Sequence, residues 1–224
     1  RLLRSRDARC HVEPLATLGD ALVLSRRTVH ATATGGGRFD VGAYEQEAFT
    51  IAELDDSGRW CRHEVFAADR LGDALTSLYE RHAALLPDGS ERDRAAATAR
   101  TVAAINSLDV DRLLARATPL IEVVDHHKLH LWSARGVDEY LAQWRGQMEL
   151  AIPHVRVDEV LALAPDALLA RRTHSGIARE GGGEYGAQVL ELNILGADGR
   201  LTCIELWETD RETDKFNEKE STIK

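Results

Sequence analysis

The sequence predicts an α+β chain in which one sheet-forming unit is used twice. Three observations carry that expectation. Two stretches about 145 residues apart repeat one another, helical patterns precede a run of strand patterns in the second stretch, and glycine turns punctuate both at matching places.

The first echo is His11-Val12-Glu13-Pro14-Leu15-Ala16-Thr17-Leu18 against Arg156-Val157-Asp158-Glu159-Val160-Leu161-Ala162-Leu163. Arg26-Arg27-Thr28 against Arg171-Arg172-Thr173 follows, and both pairs lie 145 positions apart (11 to 156, 26 to 171). The triplets Gly35-Gly36-Gly37 and Gly181-Gly182-Gly183 come next. Gly58-Arg59…Glu64-Val65-Phe66…Asp69-Arg70 then matches Gly199-Arg200…Glu205-Leu206-Trp207…Asp210-Arg211 at an offset of 141. The change of offset places insertions and deletions at turns. A repeat of this length marks two copies of one domain, because solenoid units run to roughly 20–50 residues.

The second copy is the fuller one. Ser90-Glu91-Arg92-Asp93 opens a helix, with Ser90 a candidate N-cap and acids in the first turn, running to about residue 106. Asp109–Arg116 reads as a short helix, and Pro119–Asp125 is β-branched and strand-like. The polar cluster His126-His127-Lys128 leads to an expected short strand, Leu129–Trp132. Gly136–Leu150 carries Val137, Tyr140, Leu141, Trp144 and Met148 at helical spacing, with Pro153 as its stop. Strands are expected at about 155–163, 166–176, 184–195 and 200–208. The Gly181–Gly183 triplet turns the middle pair, and Gly199 turns the last. The first copy supplies only the four strands, then a helix from Arg70 to about Leu86 and the turn Leu86-Pro87-Asp88-Gly89. Domains are thus expected over 1–86 and 90–212, with a charged tail from about Glu208, 213–224 lying beyond the second domain.

With 44% hydrophobic residues the chain can pack two cores, and aromatics at 5% leave most of the filling to aliphatic side chains. A net charge of −9 argues against a nucleic-acid partner. The absence of a membrane-length apolar run or signal peptide argues for a cytoplasmic protein with no membrane partner. Cys10, Cys61 and Cys203 read as reduced packing residues. Copy two has about 65 residues ahead of its matching point and copy one about 10, which leads us to expect a fragment whose partners include other domains of a parent polypeptide.

The order helix, helix, strand, strand, helix, four strands resembles the cone-shaped α+β fold of the nuclear transport factor 2 (NTF2) superfamily. The local wording resembles its SnoaL-like branch. The residues concerned are Asp111-Arg112-Leu113-Leu114 ahead of Val123-Val124-Asp125-His126, then Glu139-Tyr140-Leu141, and finally Asp198-Gly199-Arg200-Leu201…Glu205-Leu206-Trp207. The resemblance covers 91–212 well and 9–70 for the sheet half, giving tandem cones with an incomplete first copy. It implies ketosteroid isomerase, polyketide cyclase, dehydratase or epoxide hydrolase activity, or no catalysis at all, since fold does not fix function. It also implies a homodimer, or an intrachain pseudo-dimer, formed through the outer sheet face. Some stretches look similar to the tail ends of large bacterial multidomain regulators.

Two clusters could carry acid–base chemistry. In Asp125-His126-His127-Lys128-Leu129-His130 a carboxylate beside a histidine could shuttle a proton, with Asp125 and His127 as the pair; the competing reading is a polar hairpin with Asp125 bonding turn amides. Metal binding by His126, His127 and His130 is disfavoured, because adjacent strand residues point to opposite faces. The second cluster rests on alternation. Leu168, Ala170, Arg172 and His174 share one face of a strand, and Leu201, Cys203, Glu205 and Trp207 share another. Glu205 and His174 would then meet over a cavity walled by Trp132, Trp144, Leu201 and Trp207, with Arg172 nearby; the competing reading pairs Glu205 with Arg172 across strands. The glycine triplets lack the lysine and the strand-to-helix context of a phosphate loop, and no cofactor is expected. The function expected is a non-catalytic accessory module that binds a small apolar ligand or mediates dimerisation. The alternative is a cofactor-independent isomerase, cyclase or dehydratase.

Overall fold

The computed structural model describes residues 5–34, 43–130 and 132–209. The chain divides into two units between Ala74 and Leu75. In the first unit β1 (Ser5–Arg6) pairs with β4 (Ala33–Thr34). A four-stranded antiparallel sheet holds β2 (Arg9–Leu18), β3 (Leu22–Ala31), β5 (Tyr44–Leu54) and β6 (Trp60–Ala67) in the order β2-β3-β5-β6. Its core lies on the central strands, where Leu22, Leu24, Val29, Ala48, Phe49 and Ile51 are buried. The helix α1 (Leu71–Leu85) crosses the division. Leu75, Leu78 and Tyr79 recur at helical spacing and are buried. The Tyr79 hydroxyl reaches the carbonyls of Ala164 and Ala167 at 2.8 and 3.0 Å. These ties give the later turns of α1 to the second unit, so the division falls inside the helix rather than at residue 86, where the turn cluster suggested it.

The second unit contains α2 (Ser90–Ser107), α3 (Val110–Arg116), β7 (Ala117–Asp125), β8 (Ala134–Arg135) and α4 (Val137–Leu150). It continues with β9 (Ala151–Ala164), β10 (Ala167–Ala178), β11 (Glu184–Leu195) and β12 (Leu201–Glu208). Six strands form one sheet in the order β8-β7-β12-β11-β10-β9; β7 and β12 run parallel and every other pair antiparallel. This is an α+β architecture with the expected element order of helix, helix, strand, strand, helix and four strands. One sheet face buries Val123, Leu201, Ile204 and Leu206 with Leu113, Tyr140 and Trp144 of the helices. The other carries Leu169, Leu190, Leu192 and Trp207. Among the described residues no helix is long and apolar enough to cross a membrane.

Local chemistry explains where the elements depart from expectation. Gly89, not Ser90, occupies the N-cap of α2, while Asp109 caps α3 by accepting the Arg112 N–H at 3.0 Å. Of the strand expected at Leu129–Trp132, Leu129, His130 and Trp132 lie in turn or loop, and a strand falls at Ala134–Arg135 instead. The Asp125 carboxylate gathers that loop, as described below. The helix α4 ends at Leu150, and Pro153 lies in β9, an edge strand that tolerates a missing N–H. Cys10 and Cys61 are exposed rather than packed, and Cys203 is half-buried. Gly35-Gly36-Gly37 and most of the charged tail lie outside the described residues. Gly181 and Gly182, with φ of 81° and 66°, make the hairpin expected of their triplet.

The repeated segments adopt the same strand order and pairing. Arg27 opposes Ala48 as Arg172 opposes Val189, and Leu54 opposes Trp60 as Leu195 opposes Leu201. Each copy skips one residue at the start of its last strand, Cys61 in one and Thr202 in the other. The turns repeat as well: Asp55 N–H donates to the Arg59 carbonyl and Gly196 N–H to the Arg200 carbonyl, both at 2.8 Å. Among the described residues, a parallel strand lies beside the final strand in the second of these segments alone.

Candidate ligand-binding site

A run of β11, Val189-Leu190-Glu191-Leu192-Asn193-Ile194, alternates so that Glu191 and Asn193 face the helices together with Arg172 and His174 of β10. Arg172, 1% exposed, sets its Nε 2.9 Å from Glu191 Oε1. It also donates from Nη2 to Asn106 Oδ1 of α2 at 3.0 Å. Asn193 donates to Glu191 Oε1 at 2.7 Å, and His174 Nε2 lies 3.5 Å from Glu191 Oε2. Burial opposes ionisation of Glu191 most strongly, yet the Arg172 charge, with His174 and Asn193, outweighs it and holds the carboxyl at about 2. Tyr140 lines the same space, and burial pushes its phenol upward, so it stays a neutral hydroxyl. What remains open here is a cavity of about 30 Å³, space for a water molecule.

A second, larger concavity lies against Trp132. It measures about 460 Å³ and is lined by Trp132, Gln143, Gln147, Leu150, Ala151, Ala178 and Tyr185. That volume falls in the ordinary range for small-molecule sites, about 300–1,000 Å³. Two local features shape it. Gly176 has no side chain where Tyr185 crosses from the neighbouring strand, so the phenol lies flat over it and accepts a 2.8 Å hydrogen bond from Gln147 Nε2. Gln143 donates to the Ser133 carbonyl at 2.7 Å, which leaves its own Oε1, like that of Gln147, buried without a partner. Trp132 of this groove packs on Trp144 of the inner cavity, ring centroids 5.4 Å apart. The indole pair separates the two spaces.

Asp125 ends β7 and is 2% exposed. Its carboxylate accepts the His127 N–H at 2.9 Å and the Trp132 N–H at 3.0 Å, and contacts His127 Nδ1 at 2.5 Å. Burial pushes this carboxyl upward, but those donors outweigh it and hold the group below its ordinary 3.8. Asp125 and His127 are therefore brought together, with the carboxylate closing a loop that seats Trp132 at the groove. His130 Nδ1 also contacts the Asp125 carbonyl.

Glu205 and His174 are not brought together. Glu205 Oε2 lies 2.9 Å from His126 Nε2, and the His126 ring stacks on Trp207 at 4.8 Å. The skipped residue Thr202 reverses the alternation of β12. Leu201 consequently faces the helices with Ile204 and Leu206, while Trp207 faces the opposite side with Leu190 and Leu192. Arg172 pairs with Glu191, not with Glu205. Among the expected ligand-contacting residues, Trp144, Arg172 and Leu201 line the inner cavity, Trp132 lines the groove, and Trp207 lines neither. Glu191, Asn193, Gln143, Gln147 and Tyr185 were not anticipated. The alternation in β11 was the readable signal for the first two; the groove residues come from separate elements and left none.

No family model and no curated protein matches the sequence. Among solved structures, the chain is similar to an NTF2-like protein of unknown function from Burkholderia pseudomallei: 15% identity, 54% of this chain and 93% of that one covered, TM-score 0.41. It is also similar to a Mycobacterium tuberculosis protein in complex with estradiol-17beta-hemisuccinate, at 14% identity over 51% and 92% with TM-score 0.43. The Delta 5-3-ketosteroid isomerase from Mycobacterium sp. is similar at 14% identity over 53% and 95%, TM-score 0.43. At such identities and scores, none of them assigns a residue or a ligand to this chain.

Proposed function

We propose that the second unit is a non-catalytic binding module that takes a small, largely apolar molecule in the groove beside Trp132. The observation that carries this reading is the contrast between the two spaces. The groove offers an indole, a phenol and three aliphatic side chains beside the two glutamines of α4, which suits a small molecule with a largely apolar body. The inner cavity holds an acid and a histidine in reach of each other, as an acid–base enzyme requires, but it has room only for a water. Glu191 is moreover a weak base while Arg172 neutralises it. Asp125 is committed to loop amides, and Glu205 with His126 lies on the other sheet face. The repeated strands support reading the first unit as the sheet half of a second such domain.

Titration with N-phenyl-1-naphthylamine, a neutral apolar fluorophore, tests the site. Saturable, blue-shifted emission is expected, weakened about tenfold or more by Trp132→Ala, a loss of the size that follows from removing a central aromatic contact. Emission that fails to saturate, or that Trp132→Ala leaves unchanged, would remove the groove from consideration. Native mass spectrometry with denaturing extraction of the purified protein gives the complementary readout, a reproducible bound mass.

A further inference from the structure

We infer that the outer edge of β6 is a strand-addition site, made to receive a parallel β-strand of the composition of β7. The inference does not depend on the ligand site. In the second unit the final strand, β12, has β11 on one side and β7, in parallel, on the other, with Cys203 opposite Glu122 and Leu206 opposite Asp125. Its counterpart β6 pairs with β5 through the same register and the same skipped residue, but among the described residues nothing lies along its second edge.

Exposure differs as well, because in the second unit helices cover the sheet face that these side chains share. Leu201, Ile204 and Leu206 are buried, whereas Trp60, His63 and Val65, which stand 141 positions earlier, are exposed, Trp60 to 74%. Trp60 and His63 stack on each other at 6.0 Å, two ring faces turned to solvent on a strand where the second copy has aliphatic core. On β12 the Leu206 carbonyl points toward the β7 side, where it accepts the His126 N–H at 2.9 Å. The main-chain groups of Val65 and His63 face outward by the same alternation. An edge of this length, with exposed apolar side chains, is a ready template for another strand.

The charge pattern fits the same partner. Arg62, already 2.8 Å from Glu64 on its own strand, stands where Cys203 does, directly opposite the position that Glu122 occupies on β7. A strand such as Ala117–His126 would set Glu122 against Arg62, Val124 against Glu64, and the His126 N–H against the Val65 carbonyl. The occupant is therefore an extended, β-branched segment with one acid at the position opposite Arg62, running parallel to β6.

The test uses the whole chain and a synthetic peptide of Ala117–His126, with hydrogen exchange followed by mass spectrometry. Saturating peptide is expected to slow exchange of the β6 amides by about tenfold or more, the protection that pairing confers on an otherwise open edge. In His63→Pro, which removes an outward N–H and keeps the β5 ladder, that protection should vanish while β3 amides stay protected. Val65→Lys serves where the proline variant does not fold. Reversing the charge at Arg62→Glu should weaken the effect, and changing the peptide's Glu122 to lysine should restore it. Unchanged β6 exchange at saturation, or equal protection in the His63→Pro chain, would overturn the inference. So would β6 protection that appears with protein concentration alone, since the occupant would then be a second copy.

Discussion

Leu201 and Trp207 lie on opposite faces of β12, although they are six positions apart and strict alternation would put them on the same side. The single skipped residue, Thr202, makes the difference, and its hydroxyl is tied to the Ile194 carbonyl at 2.9 Å. One bulge thus decides which side chains wall the cavity and which face away.

Trp207→Ala tests that assignment. The indole is 8% exposed and packs beside Leu190 and Leu192 under the His126 ring. Its removal should cost about 3–5 kcal/mol, read by chemical denaturation, and should leave groove binding of N-phenyl-1-naphthylamine unchanged. A binding loss with intact stability would place Trp207 at the ligand instead.

Most of the fold was legible because it is periodic. The strands, α2 and α4 followed from apolar spacing and glycine turns, and the repeat fixed which strands correspond. The site was less legible for two physical reasons. Bulges such as Thr202 carry no sequence mark, so a correct strand gave the wrong partner for Glu205. The groove is assembled from side chains of α4, β9, β10, β11 and a loop, and no local pattern links Gln147 to Tyr185. Alternation sets Arg172 and His174 on one face of β10, but the repeat points to Glu205, whereas the acid beside them is Glu191. The repeat itself argued for caution: copy one keeps Arg27 yet has Thr50 and Ala52 where copy two has Glu191 and Asn193.

The two hairpin glycines should respond differently to alanine. Gly58 and Gly199 have nearly the same φ, 72° and 71°, so each substitution incurs backbone strain, about 1 kcal/mol. A Cβ at Gly58 meets nothing, whereas one at Gly199 meets the Thr98 nitrogen at 2.6 Å and the Arg94 carbonyl at 2.8 Å. The Gly199 carbonyl also accepts a 2.6 Å hydrogen bond from Thr101 of α2. Gly199→Ala should therefore lower the melting temperature several-fold more than Gly58→Ala. Equal shifts would mean that α2 does not rest on that hairpin.

Acid sensitivity should trace to Glu191. Its folded pKa of about 2 lies below the ordinary 4.5, so its contribution to stability is complete above pH 4.5 and fades as pH falls toward 2. Glu191→Gln leaves the buried Arg172 charge unpaired and should cost about 3–5 kcal/mol at neutral pH. The stability curves of the two proteins should converge between pH 4.5 and 2. Adding Arg172→Met should recover much of the loss at neutral pH, because no uncompensated charge then remains buried. Parallel curves would show that the carboxylate is not held by the guanidinium.

Asp125→Asn should open the loop it organises. An amide offers one acceptor oxygen where the carboxylate offers two, so the N–H of either His127 or Trp132 loses its partner, at about 1–3 kcal/mol. Lys128 lies within that loop, and trypsin should cut after it faster in the variant. An unchanged cleavage rate and melting temperature would show that the amides are satisfied without the charge.

Gly176→Ala separates groove shape from stability. A Cβ there would come within 2.6–2.7 Å of the Tyr185 ring and hydroxyl, which must move. Tyr185 is 38% exposed and can swing outward at little cost, so the fold should lose under about 1 kcal/mol, as partly exposed surface positions usually do. Its movement breaks the Gln147 hydrogen bond and removes one wall of the groove. Fluorophore binding should therefore weaken several-fold while denaturation stays nearly unchanged. Tyr185→Phe, which keeps the ring and loses only the bond to Gln147, should retain most of the affinity if apolar enclosure dominates, and should resemble Gly176→Ala if the positioned glutamine matters more.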